Sequence, residues 1–152
     1  MSEESQDERL DRELEELLQE LRLALPGVQI LFAFLLVVPF NNRFTETDEL
    51  QRDVWFAALL LSLGAVACFI APTAYHRIRF RDSDKERLVT TATRLAVVGL
   101  VFLATALSAS AFFVTGFVFS DRAAAIVTAI AAGTIGGLWF ALPLLRKAAD
   151  DS

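Results

Sequence analysis

Apolar positions along this chain come in two patterns, unbroken runs and one stretch with helical period. Residues 95–119 read LAVVGLVFLATALSASAFFVTGFVF, with no charge and nothing more polar than Ser and Thr. As a helix rising about 1.5 Å per residue, such a run covers a hydrocarbon core of roughly 30 Å. Residues 54–75 and 123–145 are apolar on every face as well, so they offer the run no polar exterior. All three are therefore expected to cross a bilayer. Residues 28–40 form a shorter run that reaches the lower limit of about 17 residues only when counted from Leu23. This segment either spans or re-enters. Ahead of it, leucines at 10, 14, 17, 18, 21 and 25 fall on one helical face, with Glu13, Glu16, Glu20 and Arg22 elsewhere on the wheel.

The connections carry their own signals. Pro26-Gly27 is expected to break or kink the chain between the amphipathic helix and the first span. Thr47 is the expected N-cap of the second span, and Trp55 and Tyr75 mark headgroup level at its ends. Ser83-Asp84-Lys85-Glu86 has the form of a capping box, which starts the third helix near Asp84. Ser120 is available as N-cap of the fourth. The predicted fold is all-α, a four-helix transmembrane bundle behind an N-terminal cytoplasmic amphipathic helix. Its parts are residues 1–25, a membrane domain over 26–147 with spans at about 23–40, 54–75, 94–119 and 123–145, and a polar tail at 148–152.

Composition agrees: 55% of the 152 residues are hydrophobic, and the single cysteine, Cys68, lies inside an apolar run, where no intrachain disulfide or Cys-based metal site can be built. No cleavable signal is expected, since residues 1–22 are acidic and polar. The net charge of −5 is unevenly spread. Residues 1–22 carry nine acids and three bases, whereas 76–94 carry six bases and three acids. Of 14 basic residues only Arg43, Arg52 and Arg122 fall in the connections opposite the termini. The positive-inside rule then puts both termini in the cytoplasm of a multi-pass cell-membrane protein. An acidic helix does not suit an anionic membrane surface, so it is expected to dock on the basic segment or to pair as a short coiled coil between subunits. Arg77, Arg79 and Arg81 are the expected contacts for anionic lipid.

Candidate chemistry is sparse. Ionisable groups at membrane depth are where ion or proton transfer is first sought. The spans offer only Gln29 and Arg94 near inner ends, His76 at an interface, and Ser62, Cys68, Thr105, Ser108, Ser110, Thr128 and Thr134 between. Arg94 reads as a snorkelling residue, and His76 as an interfacial one whose ordinary pKa leaves a switch open. No metal-ligand cluster, phosphate loop, nucleophilic triad or set of interleaved basic and aromatic residues is present, so no enzyme, cofactor, metal or nucleic acid is expected. The most specific packing signal is a line of small residues at Ala125, Ala129, Gly133, Gly137 and Ala141. Small-xxx-small lines let helices approach closely in lipid, and packing on Ala104 and Ser108 within the subunit is expected ahead of a subunit interface.

ELRLALPGVQILFAFLLVVPFNNRF, with APTAYHRIRFR and TATRLAVVG further on, resembles a prokaryotic family of short four-span integral membrane proteins of unknown function, some members of which are loosely labelled sodium:proton antiporters. The resemblance covers most of residues 15–119, and hydrophobicity alone does not dictate its Leu-Pro-Gly-Val-Gln and Ala-Pro-Thr-Ala-Tyr-His strings. It implies a membrane protein, and it singles out Gln29, Pro72, Tyr75, His76 and Arg94. The antiporter label fits poorly, because no Asp, Glu or Lys lies mid-membrane. These features point to a structural or interaction subunit acting through helix packing and oligomerisation, with a small oligomeric channel or transporter as the alternative.

Overall fold

The computed structural model describes residues 6–78 and 85–150. Every element among them is helical: α1 (Gln6–Val37), two 3₁₀ turns (Val38–Phe40 and Asn42–Glu46), α2 (Glu49–Ile78), α3 (Lys85–Val118), α4 (Asp121–Gly136), a π-helical turn (Gly137–Ala141) and α5 (Leu142–Asp150). Four stretches are long and apolar enough to cross a membrane, Glu8–Phe40, Glu49–Tyr75, Glu86–Val118 and Asp121–Ala149. Their outward faces carry large apolar side chains, among them Phe34, Phe56, Val101 and Ile130. Water would not tolerate so much exposed hydrocarbon. The chain is an all-α, multi-pass membrane protein.

α1 differs from expectation at Pro26, which lies inside an unbroken helix. The missing N–H frees the carbonyl of Arg22, but both residues are exposed, so solvent or headgroups satisfy it. The amphipathic segment and the first span are one rod. Its buried residues Leu14, Leu21, Val28 and Leu35 repeat every seventh position straight through the proline. Leu14 and Leu21 thus pack inside their own chain, whereas Leu10, Leu17, Leu18 and Leu25 are half-buried. Along the exposed face, Arg9 pairs with Glu13 and Arg12 with Glu16. The proposed docking on Arg79 and Arg81, and the capping box at Ser83 and Asp84, lie outside the described residues.

The chain divides into two compact units. The first contains α1 to Phe34 and the segments of α2 and α3 between Ser62 and Phe102. Here the two helices exchange aromatic rings for glycines. A Cβ at Gly99 would lie 2.4 Å from the Phe69 ring and 3.1 Å from the Cβ of Cys68. A Cβ at Gly64 would lie 3.0 Å from the ring of Phe102. Each ring rests on the other helix's backbone, and the paired positions run in opposite directions, so α2 and α3 are antiparallel. Small buried residues continue the contact at Ser62, Ala65, Ala92 and Ala96.

The second unit holds residues 35–61 and 103–152. α3 turns into α4 through Ser120, whose hydroxyl accepts from the Ala123 N–H at 3.3 Å, as its N-cap role requires. A Cβ at Gly116 would make ordinary contact, 3.6 Å, with Ala124, which is fully buried. The fourth span is not one α-helix: at Gly137–Ala141 it opens into a π turn, with the Leu142 N–H donating to the Gly137 carbonyl five residues back. Pro143 follows at once. Its ring and missing N–H are incompatible with a continued α-helix through the preceding turn.

Gly99→Ala drives a methyl into a ring that is wholly buried and cannot swing away. Overpacking of this kind costs about 1–3 kcal/mol, only partly offset by alanine's better helix propensity. Gly27→Ala, on the exposed side of α1, meets nothing within 4 Å and is expected to raise stability by roughly 0.5–1 kcal/mol. Thermal unfolding of the two variants in detergent should therefore shift in opposite directions, with Phe69→Leu recovering part of the Gly99→Ala loss.

Candidate functional site

The connection from α1 to α2, within the second unit, is held by several side-chain hydrogen bonds and ring contacts. Pro39 has no N–H to give the carbonyl of Leu35, four residues earlier, so the end of α1 leaves that oxygen without its helical partner. The indole Nε1 of Trp55 supplies it, donating at 2.9 Å. The Trp55 ring meets Phe44 edge-on, centroids 5.1 Å apart. Trp55 thus ties α2 to the end of α1, whereas its sequence position suggested a headgroup marker. The Thr47 hydroxyl donates to the Phe44 carbonyl at 2.7 Å, closing the 3₁₀ turn, and Thr47 is buried. It is not the N-cap. Asp48 caps α2 instead, its Oδ1 accepting from the Gln51 N–H at 2.7 Å. Arg43 pairs with Glu46 and lies over the Phe117 ring, 4.8 Å from the centroid, pinning the connection to α3.

The residues singled out by sequence occupy unlike environments. Gln29 is exposed on α1, one position past buried Val28. Pro72 is fully buried inside α2, where its ring fills the core. Tyr75 is half-buried and Arg77 exposed. The backbone of His76 belongs to α2, but its side chain lies outside the described residues, as do Arg79 and Arg81 altogether. Arg94 is exposed on α3, where with Glu86, Arg87, Thr90 and Thr91 it lines an open polar recess. Among the described residues, no three His, Cys, Asp or Glu side chains gather where a metal ion could be held.

Two hydroxyls of the spans serve their own helices. Ser108 donates to the Ala104 carbonyl at 2.8 Å, and Ser110 to that of Ala106 at 2.7 Å. Ser62 is wholly buried, Cys68 half-buried and Thr134 exposed. The Thr128 hydroxyl is buried without a partner among the described residues.

The small-residue stripe is where expectation and structure part. Ala125, Ala129, Gly133 and Ala141 are exposed, and no atom comes within 4 Å of a Cβ built on Gly133 or Gly137. The inward face of α4 runs through Ala124, Thr128, Ala131 and Ile135. One residue of offset is a rotation of about 100°, so the stripe faces away from Ala104 and Ser108. Packing within the chain is not its use. The glycines that do bring helices together, Gly64 and Gly99, were missed because each stands alone rather than in a four-residue repeat. The Trp55 tether was missed as well. Its signal was available in Pro39, which strips a carbonyl of its donor next to an indole.

A family model described as "Family of unknown function (DUF6328)" matches residues 3–143 of the chain. No curated protein and no solved structure matches it.

Trp55→Phe keeps the ring contact with Phe44 and strands the Leu35 carbonyl. The expected cost is about 1–3 kcal/mol. In a Pro39→Ala background, a backbone N–H becomes available to that oxygen, so the same substitution should cost measurably less. A double-mutant cycle by thermal unfolding in detergent reads the difference; equal costs in both backgrounds would show that the tether carries no such role.

Proposed function

Starting from the premise that this chain belongs to DUF6328, a family of unknown function, we propose that it is a non-catalytic membrane subunit that works by packing against further copies of itself. The observation that carries this reading is the uncovered stripe at Ala125, Ala129, Gly133 and Gly137. In lipid, where apolar contact alone gains little, small residues on an outer face are suited to close helix approach. The absence of burial across the most apolar part of the fourth span supports it, since the other three each bury part of theirs. In the proposed topology both termini face the cytoplasm of a prokaryotic inner membrane, and anionic lipid is the proposed partner of the basic residues Arg77, Arg79 and Arg81.

The alternative, a small oligomeric ion channel or transporter, and with it the antiporter label, has thinner support. Serine hydroxyls bound to their own helix carbonyls are poor pathway groups, and Gln29 is the strongly polar candidate left on the first span.

Self-association is tested by cysteine cross-linking in membranes, in a Cys68→Ala background. Ala125→Cys, Ala129→Cys and Gly133→Cys are expected to give disulfide dimers, because bridging requires Cα atoms within about 7 Å. Val127→Cys, exposed on α4 but turned well away from the stripe, is expected to stay monomeric. If the three stripe positions cross-link no better than position 127, the proposal is wrong. Liposomes containing the protein are expected to remain tight to protons and sodium; flux abolished by Gln29→Leu would favour the transporter instead.

A further inference from the structure

The first two and a half turns of α3 carry a polar recess. Glu86, Arg87, Thr90, Thr91 and Arg94 line it, and it is a shallow, widely open depression along one side of the helix. Arg87, Thr91 and Arg94 follow the i, i+4, i+7 spacing of one helical face. Arg94 is the last charge before the uncharged run 95–119, which places it at the edge of the hydrocarbon. Arg87 lies seven residues earlier, roughly 10 Å further out along the axis. The polar headgroup layer is about 5–8 Å deep on each side, so the two guanidinium groups bracket the level of lipid phosphates.

Its chemistry is specific in sign. Two guanidinium groups and one carboxylate leave a single net positive charge, which matches the one negative charge of a phosphodiester. Arg87 already has an interaction elsewhere in the chain and acts here as fixed charge. Arg94 and the hydroxyls of Thr90 and Thr91 carry no hydrogen bond among the described residues, and Thr91 is half-buried at the base of the face. Glu86 accepts hydrogen bonds only, so an occupant that satisfies the whole recess brings donors as well as a phosphate.

We propose that this recess binds the phosphodiester headgroup of a membrane lipid that carries its own donors. Arg94 and Thr91 donate to the phosphate oxygens, and Glu86 accepts from a glycerol hydroxyl or an ethanolamine ammonium. A choline headgroup, which has no N–H or O–H, leaves Glu86 without a partner and is discriminated against. The assignment rests on the membrane-spanning reading of the chain and is independent of whether copies associate through α4.

Native mass spectrometry of the detergent-purified protein tests it, with phosphatidylglycerol, phosphatidylethanolamine and phosphatidylcholine supplied at equal concentration. One adduct of glycerol or ethanolamine lipid is expected, in preference to choline lipid. Arg94→Gln and Thr91→Val, made separately, should each lower its occupancy, Arg94→Gln by about tenfold or more. Glu86→Gln should retain binding and lose the preference over choline lipid. Arg52→Gln, a loss of exposed charge in the second unit, should change nothing. Lipid retention that survives both Arg94→Gln and Thr91→Val, or equal occupancy by choline lipid, overturns the proposal. Displacement of the lipid by millimolar inorganic phosphate overturns it too, and assigns the recess to the free ion. The same spectra give the subunit number, so loss of the lipid assignment and loss of the self-association reading are seen separately.

Discussion

Everything in the first unit depends on two helices coming close enough for a ring to lie on a backbone. In water, apolar side chains gain by leaving the solvent whatever they meet. In lipid that gain is absent, because the tails are as apolar as leucine, and only shape complementarity is left. Gly64 and Gly99 provide the shape, each a shallow seat for a phenylalanine of the other helix. The exchange is reciprocal, which fixes the register of α2 on α3 at two points. With the register set, the positions between and beyond the seats can hold only small groups, and the buried residues there are Ser62, Ala65, Ala92 and Ala96. The core of this protein is therefore built from the absence of bulk as much as from bulk.

A second constraint governs the ends and bends. A bilayer offers no water to a stranded carbonyl, yet prolines interrupt the ladder in α1, in α2, at the α1 exit and after the π turn. Three of them are handled according to their surroundings. Pro26 stands on an exposed face. Pro39 is compensated by the Trp55 indole. Pro143 follows a stretch where the helix has already widened and the Leu142 N–H reaches five residues back. The α1–α2 connection brings several of these devices together, with a capped helix start at Asp48, a hydroxyl-closed turn at Thr47 and a guanidinium over Phe117.

The number of spans and their helical type were legible because long uncharged runs have one physical meaning. The Ser120 cap was legible because its donor and acceptor are local. Features set by neighbours in space were not. Pro26 looked like a boundary, but a helix held by a buried face at Leu14, Leu21 and Val28 tolerates one lost bond. Thr47 looked like a cap, until the turn before it claimed the hydroxyl and left the task to Asp48 one position on. The stripe on α4 was seen correctly as a line of small residues, but a line on a helix has no direction until the helix is rotated into place. Glu86 and Thr90 were passed over as ordinary polar residues, because a recess is a property of the folded surface and not of spacing.

The π turn sets a limit on what the outer face of α4 can offer. A repeat of every fourth residue follows a helix only while the turns keep their width, so the straight row of small side chains ends at Gly137 and Ala141 falls out of line with it. From Ala125 to Gly137 the row is about 18 Å long, a little over half the thickness of the oily layer. A neighbouring helix could lie flush along that portion and would then have to diverge, leaving a wedge in the other leaflet. Acyl chains, rather than protein, would fill that wedge around Leu138, Leu142 and Leu145, all of which are turned outward.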